Sequence, residues 1–150
     1  VVLTVPFAHQ ISTLESIRSG LAGKILIDVT VPLMPPKVGT VQLPEAGSAA
    51  VQAQNYLGDE VQVVSAFQNV GAVHLQGDHG IHCDVLVTGN KRAARDQVIE
   101  LVEAVGLKGW HAGPLANAAA AEALTSVLIT INRHHGIDGS GIVITGEEKK

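Results

Sequence analysis

Three short stretches of this 150-residue chain carry the residue types that could hold a ligand. They are Thr4-Val5-Pro6-Phe7, Asp28-Val29-Thr30-Val31-Pro32-Leu33 and Ala66-Phe67-Gln68-Asn69-Val70-Gly71-Ala72. Each joins a hydroxyl or amide to a stiff apolar residue and turns at Pro or Gly. None supplies a paired carboxylate, a Ser-His-Asp order or a lysine. Walls of backbone amide, proline and aliphatic side chain can do little acid–base work. They can hold two flat rings at a fixed separation, which is what direct hydride transfer requires when coenzymes carry the chemistry.

Other reactive residues have plainer readings. Asp78-His79-Gly80-Ile81-His82-Cys83-Asp84 places two histidines near a cysteine. A zinc site needs a second, distant pair of ligands, and only His74 or His111 could add to it, so a solvated loop without metal is expected. Cys83 precedes a strand and reads as a core thiol. His134 and His135 sit where a helix ends and complement its dipole. His9 is either a first-turn helix residue or a ligand contact. Trp110 either packs or borders a ring, and Asp28 reads as a hydrogen-bonded structural carboxylate.

The elements that must position these stretches alternate. Apolar, β-branched runs predict strands over 1–5, 24–31, 61–67, 84–88 and 107–112. Helical spacing predicts helices over 11–21, 48–57, 91–105 and 115–135, with Gly23, Gly58, Gly106 and Gly136 as stops. Residues 68–80 read as a polar connection. This grammar predicts an α/β fold: the latter part of a Rossmann-like, doubly wound parallel sheet, then a small αβ portion with a long apolar helix. The last helix is apolar around most of its circumference, so it should be buried or shared with a second subunit. In such a sheet ligands gather beyond the carboxyl ends of the strands, where the three stretches fall.

Composition narrows the function. Hydrophobic residues make up 46% and charged residues 16%, enough for a core and too little charge for disorder. Aromatics at 3% and a formal charge of −4 argue against a nucleic-acid partner. Cys83 is the only cysteine, so no internal disulfide can form, and an intracellular, cytoplasmic protein is expected. The uninterrupted apolar runs look too short to span a bilayer. The Glu147-Glu148-Lys149-Lys150 end reads as solvated.

TVPFAH after the first strand, VSAFQNVGA after the third and AGPLANAAAAEALTSVLITINRHHG at the last helix resemble the F420H2:NADP oxidoreductases. These NADPH-dependent F420 reductases pass hydride between NADP and the deazaflavin coenzyme F420. The resemblance runs from Val1 to about Gly146, and parts of it are shared with the reductase domains of membrane ferric reductases. It implies that Val5, Pro6, Phe7 and His9 line the pyrophosphate and ribose side of NADP. Val31, Pro32 and Leu33 would flank the nicotinamide, with Val70 and the Ala72 backbone amide on its ring and carboxamide. Gln68, Asn69, Leu115, Ala116 and Asn117 would approach the deazaflavin, and Ser140 would close over it. Some members carry His and Pro where this chain has Gln68 and Gly71; Gln68 can donate and accept hydrogen bonds but cannot ionise.

No GxGxxG occurs in these residues, and the chain opens directly on a hydrophobic strand. The expectation is a dinucleotide-binding enzyme whose glycine loop and 2′-phosphate-reading residues precede Val1, in roughly 60–70 further residues. On this reading residues 1–72 form the second half of a dinucleotide-binding domain and 73–150 a deazaflavin-binding portion. Two alternatives remain from the sequence. One is a non-catalytic module that retains a dimerising half, which the hydrophobic edge at Val1 opposes because it would invite aggregation. The other is a flavin-using relative.

Overall fold

The computed structural model describes residues 1–75 and 82–146. Asp78, His79, Gly80 and Ile81 of the histidine cluster and the 147–150 end lie outside the described residues. One five-stranded sheet organises the chain in sequence order. Its strands are β1 (Val2–Leu3), β2 (Ile25–Asp28), β3 (Gln62–Ser65), β4 (Asp84–Gly89) and β5 (Lys108–His111). The helices are α1 (Gln10–Ile17), α2 (Ala49–Leu57), the single turn α3 (Ala72–Leu75), α4 (Arg92–Ala104) and α5 (Ala118–His135).

The α/β, Rossmann-like architecture is as expected, with one correction to the all-parallel sheet. β1, β2 and β3 run parallel, β4 pairs antiparallel with β3, and β5 runs parallel to β4. Buried β-branched runs look alike in either direction; what sets direction is the connection. A parallel return needs a crossover of a dozen or more residues, usually a helix. Between β3 and β4 the described residues hold only the single turn α3.

The period-2 alternation of the strands divides the core in two. Leu26 and Val63 face Leu14, Ala53 and Leu57 of α1 and α2. Their neighbours Ile27 and Val64 face Val98 and Val102 of α4, with Val85 and Val87. The sheet is therefore covered on both faces, which is why its strands read as continuous apolar runs. Ser48 caps α2 by accepting from Val51 N at 3.0 Å, and Gly58 ends it at φ 76°.

The last helix corrects another expectation. Leu115–His135 is long and apolar enough to cross a membrane by length and composition, with a mean hydropathy of 1.3 in its most apolar window. Averaging over the window outweighs the polar residues that interrupt the run. Those same residues tie the helix into the fold. Ala49 N and Ala50 N donate to Glu122 at 2.6 and 3.1 Å, so a carboxylate of α5 sits on the amino end of α2. Thr125 Oγ1 donates to Gln68 O and Thr130 Oγ1 to Gly39 O. Gly136 stops the helix in the left-handed region at φ 63°, with Arg133, His134 and His135 in its last turn as expected. Part of the apolar circumference stays exposed, Val127 at 43%.

Burial raises the Glu122 carboxyl to about 7; the Ala49 and Ala50 N–H groups oppose the rise and the Asp28 charge adds to it. The folded state thus keeps a proton that the unfolded chain releases near 4.5. The stabilising contribution is present below that value and is lost as pH rises through about 7, a swing of about 3 kcal/mol. Thermal melts are expected to give a lower Tm at pH 8 than at pH 5, with most of that difference abolished in Glu122→Gln. Equal pH dependence in the variant would contradict the assignment.

Candidate functional site

Leu3, Asp28 and Ser65 lie in one row across β1, β2 and β3, so the three parallel strands end level. The ladder stops sooner than the apolar runs do. The remaining β-branched residues pass into three turns that rise side by side at the carboxyl edge. After β1, Pro6 leads into a 3-10 turn over Phe7–His9, closed by His9 N donating to Pro6 O at 2.8 Å. After β3, Phe67 takes a left-handed backbone at φ 71° and Val70 N donates to its carbonyl at 3.2 Å. A non-glycine residue held there costs about 1–3 kcal/mol, and such strain concentrates at ligand sites.

Between the turns is a cleft of about 400 Å³. Val5, Pro6, Phe7, Val31, Leu33, Val70 and Ala72, all expected to contact NADP, line it together. His9 and Pro32 are not among its walls. Thr4, Val29, Thr30, Phe67 and Leu75 are, and were missed although four of them sit in the same strand-end stretches. A second cleft of about 110 Å³ adjoins it. Gln68, Asn69, Val70 and Gly71 meet Thr125, Leu128, Ile129 and Asn132 of α5 there, with Gly139 and Ser140 across the mouth. Val70 belongs to both clefts and is their shared wall.

The expectation for the start of the last helix needs correcting. Leu115 is buried in the core beside Leu3, Leu14 and Val63, and Asn117 Nδ2 donates to Ala112 O at 2.8 Å. Neither they nor Ala116 lines either cleft. The helix offers its middle, about two to four turns further on, because its first residues plug the core. No spacing in the sequence separates these two uses of an apolar helix.

Gln68 and Asn69 are clamps as well as walls. Gln68 Nε2 donates to Asp28 O at 2.7 Å, and its Oε1 is buried with no partner among the described residues. Asn69 Nδ2 donates to Ala121 O at 2.8 Å and to Thr125 Oγ1 at 3.1 Å. The segment after α5 is held across the second cleft. Ser140 N donates to Asn132 Oδ1 at 3.1 Å, and His74 Nε2 lies 3.0 Å from Gly139 O. Asp84 anchors the next residues, its N donating to Ile142 O and its Oδ2 accepting from Ile144 N, both at 2.7 Å. Trp110 Nε1 donates to the same carboxylate at 2.8 Å, so the indole packs away from both clefts.

None of the described residues lining either cleft ionises. Asp28, fully buried at the end of β2, directly precedes Val29 and Thr30 of the first cleft's wall. Burial pushes it above the usual carboxylate range, while hydrogen bonds from Thr30 and Gln10 pull it back. Cys83 is buried and burial pushes its thiol up, which makes it a poor nucleophile. Among the described residues no three His, Cys, Asp or Glu side chains come together as a metal site.

Parallel strands ending level beneath an apolar cleft define an α/β protein with a ligand-sized cleft at the carboxyl edge of its sheet. No family model matches the chain. The F420-dependent NADP reductase of Methanocaldococcus jannaschii is 37% identical over 153 residues, covering 99% of this chain and 68% of that protein. The F420-dependent NADP reductase of Methanothermobacter marburgensis is 37% identical over 151 residues, covering 96% and 67%. A crystal structure of a protein provisionally assigned as an F420-dependent NADP reductase, from Arthrobacter sp. FB24, superposes with a TM-score of 0.83 at 28% identity, covering 97% of this chain and 68% of that one. A hypothetical protein from Sinorhizobium meliloti shares the fold, with a TM-score of 0.66 at 22% identity over 79% of this chain and 58% of its own. The chain belongs to the F420-dependent NADP reductase family. It spans about two thirds of the length of these relatives.

Gly139 has φ +66°, and a Cβ there would collide with the His74 imidazole. Gly139→Ala is expected to lift the 138–144 segment off the second cleft, at a cost of about 1–3 kcal/mol. Limited proteolysis reads this as faster cleavage in that segment. Gly20→Ala, where nothing lies within 4 Å, serves as the silent control.

Proposed function

We propose that the protein is a cytoplasmic oxidoreductase that moves a hydride between NADP(H) and coenzyme F420, aligning two planar rings without an acid–base side chain. The observation that carries this is the pair of adjoining clefts that share one lining residue, Val70. When bound, the nicotinamide supplies one hydride-bearing carbon and the deazaflavin the other.

The residues present suit such rings. Val5, Pro6 and Phe7, with His9 beyond them, would lie along the ribose and pyrophosphate; Val31, Leu33 and the Ala72 amide would seat the nicotinamide. Gln68, Asn69 and Ser140 would seat the deazaflavin, the buried Gln68 Oε1 accepting from a ring N–H. Val70 sets the separation, and the aliphatic walls exclude water. Residues 1–72 then serve mainly the nucleotide and 73–150 the deazaflavin. Nothing in this reading calls for a nucleic-acid or membrane partner, and the membership of the family, with its named relatives, supports it.

Purified protein given NADPH and F420 is expected to bleach the deazaflavin absorbance. The kcat should be flat with pH apart from the coenzyme's own ionisation, because no described lining side chain is ionisable. Turnover with a flavin and none with the deazaflavin would move the assignment to a flavin-using reductase.

The exposed apolar residues on and after α5, Val127 at 43% and Ile137 at 47%, support a homo-oligomer. Light scattering is expected to give twice the chain mass or more, and Val127→Glu is expected to lower it. A monomer in both proteins would refute this.

A further inference from the structure

The three turns that wall the first cleft belong to different strands, and one residue ties them to a common point. Asp28 is fully buried at the end of β2, beneath the cleft and outside its lining. Its Oδ1 accepts from Thr30 N at 2.8 Å, which folds the β2 exit back on itself. Its Oδ2 accepts from Gln10 Nε2 at 2.7 Å, and Gln10 directly follows the Phe7–His9 turn. Its carbonyl accepts from Gln68 Nε2 at 2.7 Å, beside Phe67 in the β3 exit.

We infer that Asp28 is a positioning residue for the nicotinamide cleft, its two carboxylate oxygens fixing the spacing of the β1 and β2 exits. The inference rests on the coenzyme assignment made above. Both oxygens act as acceptors, and that is the property the chemistry needs. An asparagine could accept from Thr30 N but would turn an NH2 group toward Gln10 Nε2. Gln10 cannot flip to relieve that. Its Nε2 also donates to Ala49 O at 2.8 Å and its Oε1 accepts from Gln52 Nε2 at 2.9 Å, so both bonds would break. The second cleft is braced by Asn69 on Ala121 and by Thr125 on Gln68 O, and its link to Asp28 runs through the backbone carbonyl, which a side-chain substitution leaves in place. Asp28 should therefore matter to one coenzyme and not the other.

The test compares Asp28→Asn with the parent in calorimetric titrations with NADPH and in steady-state kinetics with both coenzymes. The expected result is a tenfold or greater rise in Kd and KM for NADPH, with KM for F420 within twofold of the parent. Val98→Ala, on α4 across the sheet from Asp28 and outside the lining of both clefts, is the control. It is expected to lower Tm and leave both KM values unchanged, as a loss of stability alone would. Should Asp28→Asn give no folded protein, Gln10→Met removes one donor, and a threefold or greater rise confined to NADPH is expected. A folded variant with the parent's Kd for NADPH, or with both KM values raised alike, overturns the inference. A parent that binds no NADPH overturns the coenzyme assignment itself, and this inference with it.

Discussion

Buried carboxylates held by N–H donors are the constraint on which the rest of this structure depends. Asp28 and Glu122 are both almost wholly removed from water, at 0% and 1% exposure, and neither faces a cation in the contacts described. What compensates them is hydrogen bonding. Glu122 takes the two N–H groups at the amino end of α2, and Asp28 takes Thr30 N and the Gln10 amide. Gln10 also donates to Ala49 O, one residue's carbonyl away from the Glu122 contact. The circuit returns to α5 through Gln68 and Thr125, one turn beyond Glu122. Two helices, two strand exits and the long helix are locked by side chains that would each be costly to leave unpaired.

This circuit explains how an apolar site can be specific in shape. Aliphatic walls have no directional bonds of their own, so their spacing must come from what lies beneath them. The strands end level at Leu3, Asp28 and Ser65, and the polar layer begins on that row. Above it the turns carry valine, proline and leucine, with the strained Phe67 backbone turning the third exit toward Val70. Below it the strands are packed on both faces by helices. The division leaves the first cleft an apolar, shaped surface with Asp28 outside its lining.

The clefts differ in how they are built, which bears on how they move. The first is walled by turns that spring directly from the sheet. The second needs α5 on one side and the segment around Gly139 and Ser140 on the other, held by Asn132, His74 and Asp84. A wall made by a strap can part from its partner at lower cost than one made by a strand end. The asymmetry fits the proposed pair of coenzymes, one ring seated in the first cleft and the other covered in the second.

Much of this was legible in the residues. Alternating apolar runs and helical stripes marked the elements, because burial on both faces of a sheet and one face of a helix leaves periods of its own. The strand-end style of valine, proline and amide marked the first cleft, since stiff residues at a turn are a local property. Asp28 as a structural carboxylate and Cys83 as a core thiol were legible for the same reason: a polar residue in an apolar run must be paired. Strand direction was not, because an antiparallel β4 has the same composition as a parallel one and only the path of the connection distinguishes them. Nor was the division of the last helix between a core plug at Leu115 and a cleft wall at Thr125 to Asn132. Which face of an apolar helix meets a cavity depends on contacts between residues far apart in the chain, and these exist only once the sheet, α2 and the 138–144 segment have closed around it.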